Sequence, residues 1–151
     1  MSLQTYITEA EFFDKVLASD VSMLPNGSHV VEIGAGIGLL ALNLAAHGFE
    51  VTAFEPEASG FTEMYAMREV ILSNWVDKIP AVNFIDNYID ATTELDKPAD
   101  YMIAINVIEH VPEYEQLIVN ALRLKSERAT LRLICPTMQY HSNPILRFPL
   151  F

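Results

Sequence analysis

Residues 29–40 read HVVEIGAGIGLL, and no other stretch restricts the possible folds so tightly. Val30, Val31 and Ile33 form an apolar, β-branched run of the kind that packs as a strand, with one acid, Glu32, inside it. Glycine then takes alternate positions, Gly34, Gly36 and Gly38, and the chain resumes as Leu39-Leu40-Ala41-Leu42, a good helix former. Strand, glycine turn and helix in this order are how an open α/β sheet presents a helix N-terminus to a nucleotide-like ligand. A side chain in such a turn would demand backbone angles closed to it and would hold a ligand away.

The rest of the chain repeats the alternation. Strands are expected at residues 50–55, 81–85, 100–106 and 128–135. Residues 100–106, DYMIAIN, have the unbroken apolar character of a parallel strand buried on both faces. Helices are expected at residues 9–19, with Phe12, Phe13, Val16 and Leu17 inward, and at 38–47, closed by Gly48. Two more are expected at 57–73, with Phe61, Met64, Tyr65, Val70 and Ile71 inward, and at 113–124 after Pro112, with Tyr114, Leu117, Ile118, Ala121 and Leu122 inward. The pattern predicts a doubly wound, mostly parallel α/β sheet of Rossmann-like type, covered on both faces. Residues 1–28 form a helical lead-in that ends in the turn Pro25-Asn26-Gly27, and residues 29–151 form one domain.

Charge and composition narrow the partners. A net charge of −11 over 151 residues argues against a nucleic-acid surface, which needs clustered cations. The loose group Arg123, Lys125, Arg128 and Arg132 reads as a solvated face. The lone cysteine, Cys135, provides neither a disulfide nor a metal-ligand spacing, and within LRLICP it reads as a buried, inert thiol. The first thirteen residues lack the basic and apolar regions of a signal peptide, and no apolar run reaches the length of a membrane span. The expected setting is a reducing, cytoplasmic one.

The spacing of the glycines bears on the ligand. A dinucleotide turn, GxGxxG, places its third glycine five residues after the first, which here is Leu39. The third glycine instead falls at Gly38. The resulting Glu-x-Gly-x-Gly-x-Gly resembles the first motif of the class I S-adenosylmethionine-dependent methyltransferases. Two further stretches fit. Phe54-Glu55-Pro56 puts an acid at the end of the second strand, where a carboxylate can accept from two ribose hydroxyls. Residues 100–112, DYMIAINVIEHVP, are similar to the fourth-strand segment of small-molecule members, including those of ubiquinone biosynthesis.

The resemblance implies a methyltransferase fold and S-adenosylmethionine as cofactor. By it, Gly34, Gly36 and Gly38 make room for the ligand, and Glu32 supports the turn or meets the cofactor's amino group through water. Glu55 takes the ribose, and Pro56 packs on the adenine. Asp86 or Asn87 (with Tyr88 as a third register) meets the adenine amino group, and Asn106 lies under the methionine tail. It also implies in-line transfer of a methyl group to a small molecule, with His110, His141 or Glu109 as the group that takes a proton. Some relatives carry Glu-x-x-Glu-His at this point and can hold a divalent cation. Asn106 stands at the first of those positions, so no metal is expected.

Two other functions stay open: an NAD(P)-binding oxidoreductase, which Leu39 disfavours, and a non-catalytic cofactor binder of the same fold. The family sheet ordinarily has seven strands, and this sequence stops at Pro149-Leu150-Phe151, soon after the fifth. The expectation is a C-terminally incomplete domain. A mean hydropathy of +0.22 fits an uncovered sheet edge or a homodimer contact.

Overall fold

All five expected strands form: β1 (His29–Ile33), β2 (Glu50–Phe54), β3 (Val82–Ile85), β4 (Ala99–Ile105) and β5 (Lys125–Ile134). They pair as one parallel sheet in the order β3-β2-β1-β4-β5. This computed structural model describes residues 3–56, 62–75, 77–78 and 81–135. Four helices accompany the strands: α1 (Leu3–Val21), α2 (Leu39–Ala46), α3 (Thr62–Trp75) and α4 (Tyr114–Leu124). Chain order runs outward from β1 to β3, then returns to the centre at β4. The reversal lies between β1 and β4, and open α/β sheets bind their ligands in the crevice beyond the strand ends at such a point.

Side chains alternate across β1, so Val30 and Val31 point to opposite faces, and both are fully buried. Val30 joins Leu17 of α1, Leu40 and Leu44 of α2, and Val51 and Ile103 of the neighbouring strands. Val31 joins Phe54, Met102 and the inner face of α4, Leu117, Ala121 and Leu124. A small third cluster, Ile37, Leu42 and Ile71, docks α3 beside α2. The sheet is therefore covered on both faces by helices.

The N-terminal edge of the sheet is closed by side-chain bonds. The His29 amide donates to Asp100 (2.8 Å), while its ring nitrogens lie 3.1 Å from the Lys97 carbonyl and 2.9 Å from the Thr52 hydroxyl. Three strands are stapled there, which leaves the opposite edge for a ligand.

Several expectations are corrected. Helix α1 begins at Leu3, and only Phe13 and Leu17 of its expected inner face are buried; they are spaced four apart on one helix face. Phe12 points outward, 59% exposed, with its ring against the edge of Phe13. On α3 Val70 is exposed while Ile71 is buried, and on α4 Leu122 is exposed. The fifth strand starts at Lys125, directly after α4. Cys135, expected to be buried, is exposed just after the end of β5. Arg123 is not simply solvated: its guanidinium donates to the carbonyls of Asp90 and Thr93 and pins the segment between β3 and β4. Phe61 and His141 lie outside the described residues, as does the expected start of the third helix. Among the described residues no helix is long and apolar enough to cross a membrane.

Candidate functional site

The glycine turn folds over the end of β2. The amides of Gly34 and Ala35 both donate to the Phe54 carbonyl, at 2.8 and 3.1 Å, and the Gly36 amide donates to Glu55 Oε2 at 2.8 Å. The three glycines have left-handed backbones but different reasons for lacking a side chain. A Cβ on Gly34 would lie 2.3 Å from Val107 Cγ2, and one on Gly38 would lie 2.7 Å from the Phe84 ring. Among the described residues, a Cβ on Gly36 would meet only Met64 Sδ, at 3.9 Å. Gly34 and Gly38 are small because protein packs against them. Gly36 borders open space.

That space has two parts, both bounded by Gly34, Gly36 and Asn106. The larger cavity, about 410 Å³, opens at the ends of β2 and β3. Phe54, Glu55, Pro56, Met64, Asn87, Tyr88, Ile89, Val107 and His110 line it. The smaller, about 190 Å³, lies under α1, between Tyr6, Glu9 and Phe13 on one side and Glu32 and Ile105 on the other.

Two acids flank the turn. Glu32 is buried, its Oε2 has no partner, and the carboxyl is pushed up to about pKa 8, chiefly by burial and then by Glu55. Glu55 is also raised by burial, although the Gly36 amide and the Arg68 guanidinium pull it back. Arg68 is itself buried, lies over the Tyr65 and Phe84 rings, and pairs with Asp86.

The expected site residues are brought together unequally. Glu32, the glycines Gly34 and Gly36, Glu55, Pro56, Asn87, Asn106 and His110 all line one cavity or both. Asp86 is turned toward Arg68, and Asn87, Tyr88 and Ile89 form the cavity wall at that strand end. Glu109 lies on neither cavity: both carboxyl oxygens are buried without a partner in a short 3-10 turn, Ile108–His110. Among the described residues no group of three His, Cys, Asp or Glu side chains is placed to hold a metal ion.

Asn106 has a left-handed backbone (φ 54°), which places strain at the end of β4. Its amide donates to the Ile134 carbonyl (2.8 Å) and its side chain donates to Glu9 of α1 (2.9 Å). The contribution of α1 was missed from the sequence. Tyr6, Glu9 and Phe13 share one helix face by their spacing, but periodicity does not say where that face docks.

The methyltransferase-domain family matches residues 8–141. An uncharacterised protein of Mycobacterium tuberculosis is 27% identical over 148 residues, covering 95% of this chain and 47% of the relative. A ubiquinone biosynthesis O-methyltransferase of Rickettsia conorii is 33% identical over 115 residues, covering 76% of this chain and 35% of the relative. The chain thus spans about half the length, or less, of these curated relatives. Among solved structures, magnesium protoporphyrin IX methyltransferase from Synechocystis PCC 6803, with S-adenosylhomocysteine bound, superposes with a TM-score of 0.63. The two are 21% identical, over 83% of this chain and 55% of the other. A glycopeptide N-methyltransferase superposes with a TM-score of 0.61 at 21% identity, over 93% of this chain and 58% of the other. With a match over most of its length and this sheet order, the chain belongs to the methyltransferase-domain family and has the class I methyltransferase fold.

Proposed function

We propose that this chain binds S-adenosylmethionine across the glycine turn, and that the protein it represents transfers the methyl group to a small-molecule acceptor. One observation carries the reading. Gly36, whose missing side chain would stand in open space, joins two cavities and is tied through its amide to the acid at the end of β2. A ligand with a nucleoside at one end and an amino acid at the other fits such a divided site. The larger part has the volume of an ordinary small-molecule pocket. Leu39, standing where a dinucleotide turn has its third glycine, disfavours the dinucleotide reading. The match to ubiquinone biosynthesis O-methyltransferases supports a small-molecule acceptor.

The roles follow from placement. The Glu55 carboxylate has lone pairs for the Gly36 amide and for ribose hydroxyls together. Phe54, Pro56, Ile89 and Val107 provide apolar walls for an adenine, and Asn87 a polar edge. Glu32 and Asn106 face the amino-acid end from under α1. When bound, the cofactor supplies a methyl group already activated on a sulfonium, so the protein's part is to align, to exclude water and to take a proton. His110 is exposed and lines the larger cavity, which supports it as the group that takes that proton on its ring. Glu109 and His141 are the remaining sequence-derived candidates for this role, Glu109 as a neighbour of His110 in the same 3-10 turn.

Calorimetric titration tests the cofactor. S-adenosylhomocysteine is expected to bind and NADH is not; the reverse result would overturn the reading.

A further inference from the structure

We propose that Glu9 on α1 is a positioning residue for the amino-acid end of the ligand: it orients the side-chain amide of Asn106 beside the smaller cavity. The inference rests on the cofactor reading above and deepens it.

The geometry begins with chemistry. An ionised carboxylate can only accept hydrogen bonds, whereas a side-chain amide can donate from nitrogen or accept at oxygen. Glu9 Oε1 lies 2.9 Å from Asn106 Nδ2, so the NH2 of Asn106 is committed toward α1. The amide's Oδ1 is then the end left for a donor. Without Glu9 nothing in this pair would prevent the amide from turning over.

Two features make the orientation consequential. Asn106 lines both cavities, and its backbone amide is already engaged by the Ile134 carbonyl, so the side chain is what it can offer to a ligand through a donor-acceptor choice. Its left-handed backbone also fixes where the side chain starts. Glu32, buried and with an orphaned Oε2, lines the same smaller cavity. An Asn106 oxygen and the Glu32 carboxyl, both lining the same 190 Å³ space beneath α1, would form an acceptor pair complementary to an ammonium group. Turned over, the amide would present two N–H donors to that ammonium and repel it.

Glu9 comes from a helix 97 residues away in sequence, so it reaches the site only when α1 is docked. The bond therefore couples the docking of α1 to recognition of the amino-acid tail. The nucleoside end lies on the other side of Gly36 and is built without α1.

Two ligands separate these ends: S-adenosylhomocysteine, and 5′-methylthioadenosine, which carries the same nucleoside without the amino-acid group. Calorimetry on the wild-type chain, Glu9→Ala and Glu9→Gln gives the test. Glu9→Ala is expected to weaken S-adenosylhomocysteine about tenfold and leave 5′-methylthioadenosine within twofold. Glu9→Gln, whose amide oxygen can still accept from Asn106, is expected to recover most of the loss. An unchanged affinity for S-adenosylhomocysteine in Glu9→Ala would overturn the inference, as would an equal loss for both ligands. A wild-type chain that binds neither ligand would overturn the cofactor reading itself, and this inference with it.

Discussion

The two sides of Gly36 are built in different ways. On one side the cavity wall is a run of strand ends, Phe54-Glu55-Pro56 after β2 and Asn87-Tyr88-Ile89 after β3, largely apolar with one acid and one amide. On the other it is a helix laid over the turn, bringing Tyr6, Glu9 and Phe13 against Glu32 and Asn106. The first side is carried by the ends of sheet strands. The second depends on how α1 docks. Stacking and hydroxyl recognition suit the first, and an ammonium suits the second. A divided site of this kind separates affinity for the nucleoside from recognition of the tail.

Substitutions in the turn break the comparison most sharply. Gly36→Val places a side chain in the space that both cavities share, so binding of S-adenosylhomocysteine is expected to fall more than a hundredfold. The left-handed backbone there (φ 56°) adds a stability cost of about 1–2 kcal/mol, while the Cβ itself meets Met64 Sδ at an ordinary 3.9 Å. Gly34→Ala should do the opposite. Its Cβ would lie 2.3 Å from Val107, and overpacking plus the same backbone penalty predicts a loss of about 2–5 kcal/mol of stability. Melting temperatures and titrations of both variants decide the matter. If Gly36→Val still bound the ligand, the shared-space description would be wrong.

The acids distinguish the two sides next. In the folded chain the Glu32 carboxyl holds its proton until about pH 8, whereas in the unfolded chain it ionises near 4.5. Its contribution to stability is therefore fully present below pH 4.5, declines as the unfolded chain releases the proton, and is lost once pH passes about 8. Glu32→Gln keeps the shape of the neutral acid and cannot ionise. Denaturant unfolding should show the wild type falling below the variant as pH rises from 5 toward 8, by up to about 1.4 kcal/mol for each pH unit. Parallel stability curves from pH 5 to 8.5 would refute the burial argument. For Glu55→Ala the effect lies in binding, since its carboxylate faces the larger cavity. A loss of about 1–2 kcal/mol is expected for S-adenosylhomocysteine and equally for 5′-methylthioadenosine. A loss confined to the former would move Glu55 to the tail side.

The same division explains what the sequence made legible. The nucleoside side follows from contiguous motifs: VVEIGAGIG sets the turn, and FEP sets the acid at a strand end, because local periodicity and turn chemistry fix both. The alternation of strands and helices predicts the parallel, doubly wound sheet but leaves its strand order open, since more than one order satisfies the same alternation. The role of α1 was hidden, since the docking of a helix is decided by tertiary packing among Leu17, Leu40 and Leu44. The same limit applies to single positions. Phe12 and Phe13 are identical in type, yet a rotation of one residue sends one outward and buries the other. Cys135 is exposed despite its apolar flank, because an apolar neighbourhood in sequence does not say which residue lies past the end of its strand. Asp86 and Asn87 could not be told apart until Arg68, eighteen residues earlier, claimed the first.

The smallest expected effect sits at Asn106, where one gain is opposed by two losses that sum to a similar size. Replacing it with glycine removes the left-handed backbone cost of about 1–2 kcal/mol. It also removes the bond to Glu9, worth about 1 kcal/mol, and frees the unfolded backbone by about 0.5–1 kcal/mol. The net change in stability should lie within about 1 kcal/mol of zero. Binding of the tail should still suffer, because the amide is gone. If Glu9 acts through Asn106, the two losses cannot add: Glu9→Ala in an Asn106→Gly background should leave the affinity for S-adenosylhomocysteine unchanged. Additive losses would mean that Glu9 meets the ligand itself, and the helix side of the site would then hold a direct contact in place of a positioning one.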